Sequence, residues 1–255
     1  MQMASKPERR LFRELERKLR RMTLLVGMIG SDAIGLLADQ RRIRLAANES
    51  EFDDPMGGRK IIHLARHKVA YAVAGDDLTD EVGYGVADAL DGGAVNFGSA
   101  LELERSLQGI VERRIAEIQK TAARRGEQIE RTLLMVFYGE QVSERQLWRV
   151  RVEAHPSAKR IDGMTIAGAG GNTARFFEHY YTPNTPIHRL LLLASHIVLM
   201  GHQIDTKMID GLDIATFDSE GFHWFNEDQK TPLRERSAKL DSLVRRLLLE
   251  EPNKD

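Results

Sequence analysis

The chain has 255 residues, 42% hydrophobic and 29% charged, the balance of a folded protein that buries a sizeable core as one large domain or two small ones. Its 37 basic and 38 acidic residues leave a net charge of −1, which excludes the overall basic excess that nucleic-acid binding by counterion release requires. Cysteine is absent, so disulfide frameworks, thiolate zinc sites, thiol nucleophiles and iron–sulfur ligation are excluded, and a reducing cytoplasm is the expected compartment.

Residues 1–22 hold eight Lys and Arg against Glu8, Glu14 and Glu16, a net of +5 that leaves −6 on the remainder. Within this arm Leu11, Phe12, Leu15, Leu19 and Met22 recur at helical spacing, which predicts a basic amphipathic helix docking on its own domain or on a neighbouring subunit. Its charges run throughout and no apolar h-region follows them, so it does not read as a secretory signal.

From Thr23 the pattern turns to short apolar runs. Residues 23–29 and 33–38, separated by Gly30-Ser31-Asp32, predict a hairpin. A second pair, 60–64 and 69–74, brackets the polar Ala65-Arg66-His67-Lys68, and the acidic, Gly- and Pro-ending stretch 47–58 between the pairs predicts an exposed loop. Helical periodicity follows over 77–90 and again where Leu103, Leu107, Ile110, Val111, Ile115 and Ile118 share one face. Strands are predicted at 132–138, 146–152 and 164–167, then helices at 173–181 and 186–200. The second of these is apolar on most sides, as a helix lying between layers must be. It is interrupted by His188, Arg189, Ser195 and His196 and is too short to span a bilayer, so no membrane association is expected. A last strand pair at 211–217 and 222–226 precedes a charged amphipathic helix carrying Leu233, Leu240, Leu243, Val244 and Leu247.

Strands, two helices, strands, two helices and strands are the order of an α+β protein. The expected architecture is two stacked antiparallel sheets with a helix pair on each outer face, an αββα sandwich. The expected division is an arm at 1–22, a main domain at 23–230, and a C-terminal helix with a polar tail at 231–255.

Among candidate chemistries, His63 and His67 have the i, i+4 spacing of a zinc helix but enclose Leu-Ala-Arg without a Glu, on a segment that reads as strand and turn. His196 and His202 do not share a helix face, so no metal site is expected. The run Gly168-Ala169-Gly170-Gly171-Asn172 lies between a strand and a helix, where backbone amides gather round anions. It lacks the Gly-Lys-Ser/Thr of a P-loop, and position 173 is Thr where a dinucleotide fingerprint has Gly. A tight turn is the expected role, and no cofactor is expected.

A different constellation is more informative. Thr23-Leu24-Leu25-Val26-Gly27 is followed by Ala38-Asp39-Gln40-Arg41, by Arg59-Lys60-Ile61 and by Ala72-Val73-Ala74-Gly75. In order and in the sixteen-position step from Thr23 to Asp39, this resembles the proteasome family of N-terminal-nucleophile hydrolases over most of 23–226. The resemblance implies that family's αββα fold and roles for the matching residues. Thr23 would be the nucleophile with its own α-amine as base, Lys60 would lower the cost of deprotonating the hydroxyl, and Asp39 would hold Lys60. Arg41, Gly170 and Asp205 would support the site, and Ile43 and Gly75 would pair their backbone with an extended peptide. It also implies a peptide or unfolded-protein substrate, a homo-oligomeric ring and an ATPase or other regulator.

This chain departs from the family at named positions. Met22 stands where self-processing members have Gly, a family Ser falls at Ala169, and a supporting Asp falls at His202 or, with three residues missing, at Asp205. The loop before Lys60 is also longer. Two accounts of Met22 follow: translation starts there and initiator removal exposes Thr23, or the arm is retained as in non-catalytic α-type subunits, whose Arg-Leu-Phe resembles Arg10-Leu11-Phe12. The expected activity is a threonine peptidase; the alternatives are a non-catalytic ring-forming or gating subunit and a small-amide amidase of the same superfamily.

Overall fold

In a computed structural model the protein is described over residues 23–40, 43–45, 51–53, 59–75, 77–92, 99–122, 131–138, 145–152, 156–168, 174–204 and 209–249. Strands β1 (Leu25–Ile29), β2 (Ile34–Ala38), β3 (Ile43–Leu45), β4 (Glu51–Asp53), β5 (Ile61–Leu64) and β6 (Val69–Ala74) come first. Helices α1 (Asp77–Asp91) and α2 (Ala100–Ala122) follow, then strands β7 (Thr132–Phe137), β8 (Gln146–Arg151), β9 (Ser157–Ile161) and β10 (Met164–Ala167). After helix α3 (Ile187–Ile204) come β11 (Asp213–Phe217), β12 (Phe222–Trp224) and the closing helix α4 (Glu227–Leu249).

The strands form an α+β protein with two antiparallel five-stranded sheets, ordered β10-β1-β2-β11-β12 and β5-β6-β7-β8-β9. Successive side chains of a strand point to opposite faces. In β1, β2, β6, β7 and β11 both faces are buried, which is why these strands read as continuous apolar runs rather than as alternation. Leu25, Leu36, Ala215 and Phe217 of the first sheet meet Ala70, Ala72, Ala74, Leu134, Val136 and Leu147 of the second in one shared cluster. Their neighbours face outward. Tyr71, Val73, Leu133, Met135, Trp148 and Val150 pack on Val82 and Val86 of α1 and on Leu103, Leu107, Ile110 and Val111 of α2. Val26, Leu37 and Ile214 pack on Leu190, Leu191, Ala194, Ile197 and Val198 of α3, with Leu233 of α4 against the same cluster. The order helices, sheet, sheet, helices is compatible with the sandwich expected from the pattern.

Local signals set several element ends. Asp32 Oδ1 accepts the Ile187 amide at 2.7 Å, capping α3 from the β1–β2 turn. Asn226 and Gln229 exchange side chain-to-backbone bonds at 3.0 Å, a capping box that starts α4 before residue 231.

Four expectations change. The 47–58 stretch is not wholly loop: β4 lies in it and pairs with β3, Ile43 opposite Asp53. Three polar or charged residues in the β3–β4 ladder had hidden the periodicity. β9, the edge partner of β8, was missed because Ala158 is its one buried residue among Ser157, Lys159 and Arg160. The helix expected at 173–181 is a short 3-10 helix, Arg175–Tyr180, with no buried residue to extend it. Helix α3 continues past 200 to Ile204. Residues 1–22 lie outside the described residues. Among the described residues no helix is long and apolar enough to cross a membrane.

Two imidazoles, His63 partly and His196 largely, are taken out of water by this packing. His63 stacks on Phe222 at 3.8 Å and meets the Tyr138 hydroxyl at 2.6 Å, and His196 meets Ser237 Oγ at 2.9 Å between α3 and α4. Burial lowers both below the ordinary 6.5, with Asp241 opposing the shift at His196. A folded pKa below the unfolded one means that the unfolded chain binds more protons below pH 6.5, so folding stability falls as pH drops through that range. Urea midpoints at pH 7.5 and 5.5 should therefore differ less for His63→Phe and for His196→Leu than for the wild type. An unchanged difference in both variants would contradict the assignment.

Candidate active site

Six strand ends converge at one edge of the two sheets. Leu25 opens β1 opposite Ala38, the last residue of β2, and opposite Ala167, the last of β10. Ala38 also faces Asp213, the first residue of β11. From the other sheet come the start of β5, just after Lys60, and the end of β6, just before Gly75.

Hairpin register decides where the first two site residues fall. With Leu25 paired to Ala38, the next pair outward is Leu24 and Asp39, and Asp39 donates its amide to the Leu24 carbonyl at 3.2 Å. Asp39 Oδ1 accepts the Leu24 amide at 2.9 Å, so the carboxylate is held by the backbone just behind Thr23. Its other oxygen, Oδ2, accepts from Lys60 Nζ at 2.6 Å. Lys60 Nζ also donates to Thr23 Oγ1 at 3.2 Å. Asp39 is 0% and Lys60 5% exposed, while Thr23 is half-buried.

This arrangement has a definite chemical capacity. A buried ammonium fixed by a carboxylate points a positive charge at a hydroxyl oxygen, and a charge there stabilises the alkoxide more than the alcohol. Forming the alkoxide also needs a base for the hydroxyl proton, and the nearest nitrogen by connectivity is that of Thr23 itself. As an α-amine titrating near pH ~8 that nitrogen is a competent base; as an amide it is not.

Gly168 closes over the site from β10. Its φ is +98°, and a Cβ placed there would lie 1.7 Å from the Thr23 carbonyl oxygen and 3.4 Å from the Ala74 methyl. Only glycine permits that approach. Gly75 follows Ala74 at the same edge, and Ile43 belongs to β3, with its side chain undescribed. Arg41, Gly170 and Asp205 lie outside the described residues. Among the described residues no group of three or more His, Asp or Glu is placed to hold a metal ion.

Reading the sequence missed three residues beside this group. Gln40 Nε2 donates to Asp213 Oδ1 at 2.7 Å, and Lys230 Nζ of α4 lies 3.6 Å from the same oxygen. The signal was present in Asp213-Ile214-Ala215-Thr216-Phe217, where a carboxylate opens a strand with both faces buried and so requires partners.

The sequence matches no protein-family model and no curated protein.

Removing the Lys60 ammonium leaves the Asp39 carboxylate buried without it, a change that destabilises by about 3–5 kcal/mol. Urea unfolding should show this for Lys60→Met and a much smaller combined loss for Lys60→Met with Asp39→Asn than the two single losses added. Additive losses would mean that the two side chains do not act as a pair. Gly168→Ala should cost about 1–3 kcal/mol from backbone strain alone, and more from the collision with Thr23. A stability equal to wild type would exclude the close approach.

Proposed function

We propose that the chain is a proteasome-like threonine peptidase subunit with the N-terminal-nucleophile hydrolase fold, working in a ring assembly. The observation that carries this reading is Lys60 Nζ lying 2.6 Å from Asp39 and 3.2 Å from Thr23 Oγ1, with Thr23 ahead of the first strand. The helix, sheet, sheet, helix layering supports it, since the family resemblance implies that arrangement.

On this reading Thr23 acts once it is the first residue. Its α-amine takes the hydroxyl proton, directly or through one water, as Oγ1 attacks the carbonyl carbon of a peptide bond. The C–N bond then breaks, the proton passes to the departing amine, and an ester links Thr23 to the acyl half. Water activated by the same amine hydrolyses that ester and regenerates the hydroxyl. Lys60 stabilises charge on Oγ1 in both steps without giving up its own proton, and Asp39 keeps Lys60 in place. Gly75, Ile43, Arg41, Gly170 and Asp205 keep the roles the resemblance gives them.

A second reading, a non-catalytic ring-forming subunit, is favoured by Met22 standing before Thr23 and by the basic arm of 1–22. The two readings disagree on one experiment. A protein that starts at Thr23 after initiator removal should hydrolyse unfolded peptides, the 255-residue protein should not until trimmed, and Thr23→Ala should abolish the activity while leaving native mass unchanged. Inactivity of a correctly assembled Thr23-first protein would establish the non-catalytic reading. Equal activity from a verified, untrimmed full-length chain would exclude the free-amine mechanism.

A further inference from the structure

A second buried polar group stands outside the mechanism. Asp213 and Lys230 are each 4% exposed, one at the start of β11 and the other in the first turns of α4. Their charges lie 3.6 Å apart, and Lys230 Nζ also donates to Glu227 Oε1 at 3.0 Å. A buried ion pair adds little net stability over an apolar pair of similar volume, so stability alone gives a weak reason for its presence.

Its position gives a better one. Gln40 is the residue after Asp39 and is gripped at two points: its amide donates to the Asp210 carbonyl at 2.7 Å and its Nε2 to Asp213 Oδ1 at 2.7 Å. Gly211, with φ +70°, makes room for it, since a Cβ there would lie 2.2 Å from Gln40 Oε1. One continuous chain of contacts therefore runs from the first turn of α4 through Lys230, Asp213 and Gln40 to Asp39, Lys60 and Thr23. Asp39 adjoins Gln40 along the backbone and is held on its other side by Leu24, so the path of the chain at Gln40 bears on where the carboxylate that aims Lys60 stands.

We propose that Lys230, Asp213 and Gln40 are positioning residues: they tie the C-terminal helix to the backbone carrying Asp39 and so set where the Lys60 ammonium stands relative to Thr23. The inference rests on the peptidase reading for its kinetic consequence and on geometry alone for its effect on Lys60. It makes α4 part of the frame of the site, although none of these three residues touches the reacting atoms.

Two variants separate positioning from packing. Asp213→Leu with Lys230→Met replaces the ion pair by apolar side chains and should keep the thermal midpoint, in which case a purely structural role would leave function intact. Gln40→Met cuts the link at an exposed residue and leaves the buried pair in place. The full-length protein with 15N-labelled lysine reports the Lys60 titration by NMR, and Thr23-first protein reports peptide hydrolysis.

Both variants should move the Lys60 titration midpoint by about half a pH unit or more. Both should also lower kcat about ten- to a hundredfold with KM changed by less than about twofold, because misplacement acts on the transition state rather than on substrate binding. A Lys60 midpoint unchanged in both overturns the inference whatever kcat does, and a shifted midpoint with unchanged kcat in an active protein overturns it as well. If the wild-type Thr23-first protein is inactive, the peptidase reading fails and the Lys60 midpoint alone decides the positioning role. Gln40→Met decides it if the double variant does not fold.

Discussion

A lysine ammonium and an aspartate carboxylate enclosed between two sheets dictate much of what surrounds them. Taking both charges out of water is unfavourable by several kcal/mol per ion, and only close, well-directed bonds offset it. Asp39 meets that demand with Lys60 on one oxygen and the Leu24 amide on the other, and the second bond exists only in the hairpin register that pairs Leu25 with Ala38. A slip of one residue would turn every side chain of β2 to the opposite face and remove the pair together with the core. The same ion pair bridges the sheets, since Asp39 follows a strand of one and Lys60 precedes a strand of the other.

Packing and chemistry are linked through that edge. Small side chains on the inner face of β6, Ala70, Ala72 and Ala74, let the second sheet approach the first, and Gly168 lets β10 end against the Thr23 carbonyl. Bulk at any of these positions would separate the strand ends that carry the hydroxyl, the carboxylate and the ammonium. The proposed mechanism asks for these groups to be held within a few tenths of an ångström before substrate arrives, which strand ends of two packed sheets do better than a loop.

Much of this was legible in the chain because the strands are apolar on both faces and the helices on one. Thr23, Asp39 and Lys60 were identified as a set through their motifs, and the structure brings the three into contact. What could not be read follows from where the signal is thin. β9 buries little more than Ala158, β4 offers Glu-Phe-Asp, and a 3-10 helix such as Arg175–Tyr180 has too few turns for a period. Gln40, Asp213 and Lys230 are far apart in sequence and join only through tertiary pairing of β2 with β11 and docking of α4, so no spacing rule links them.

The central claim is that Thr23 Oγ1 is a nucleophile only when its own nitrogen is a free amine, and acyl transfer tests it most directly. Treating Thr23-first and full-length proteins with a peptide β-lactone, followed by intact-mass and fragment mass spectrometry, reads where the acyl group goes. The account predicts one acyl group per chain, on the Thr23 hydroxyl of the Thr23-first protein, lost in the Lys60→Met variant and absent from the full-length chain. Acylation at another residue, or equal acylation of Thr23 in a chain that retains residues 1–22, would contradict it.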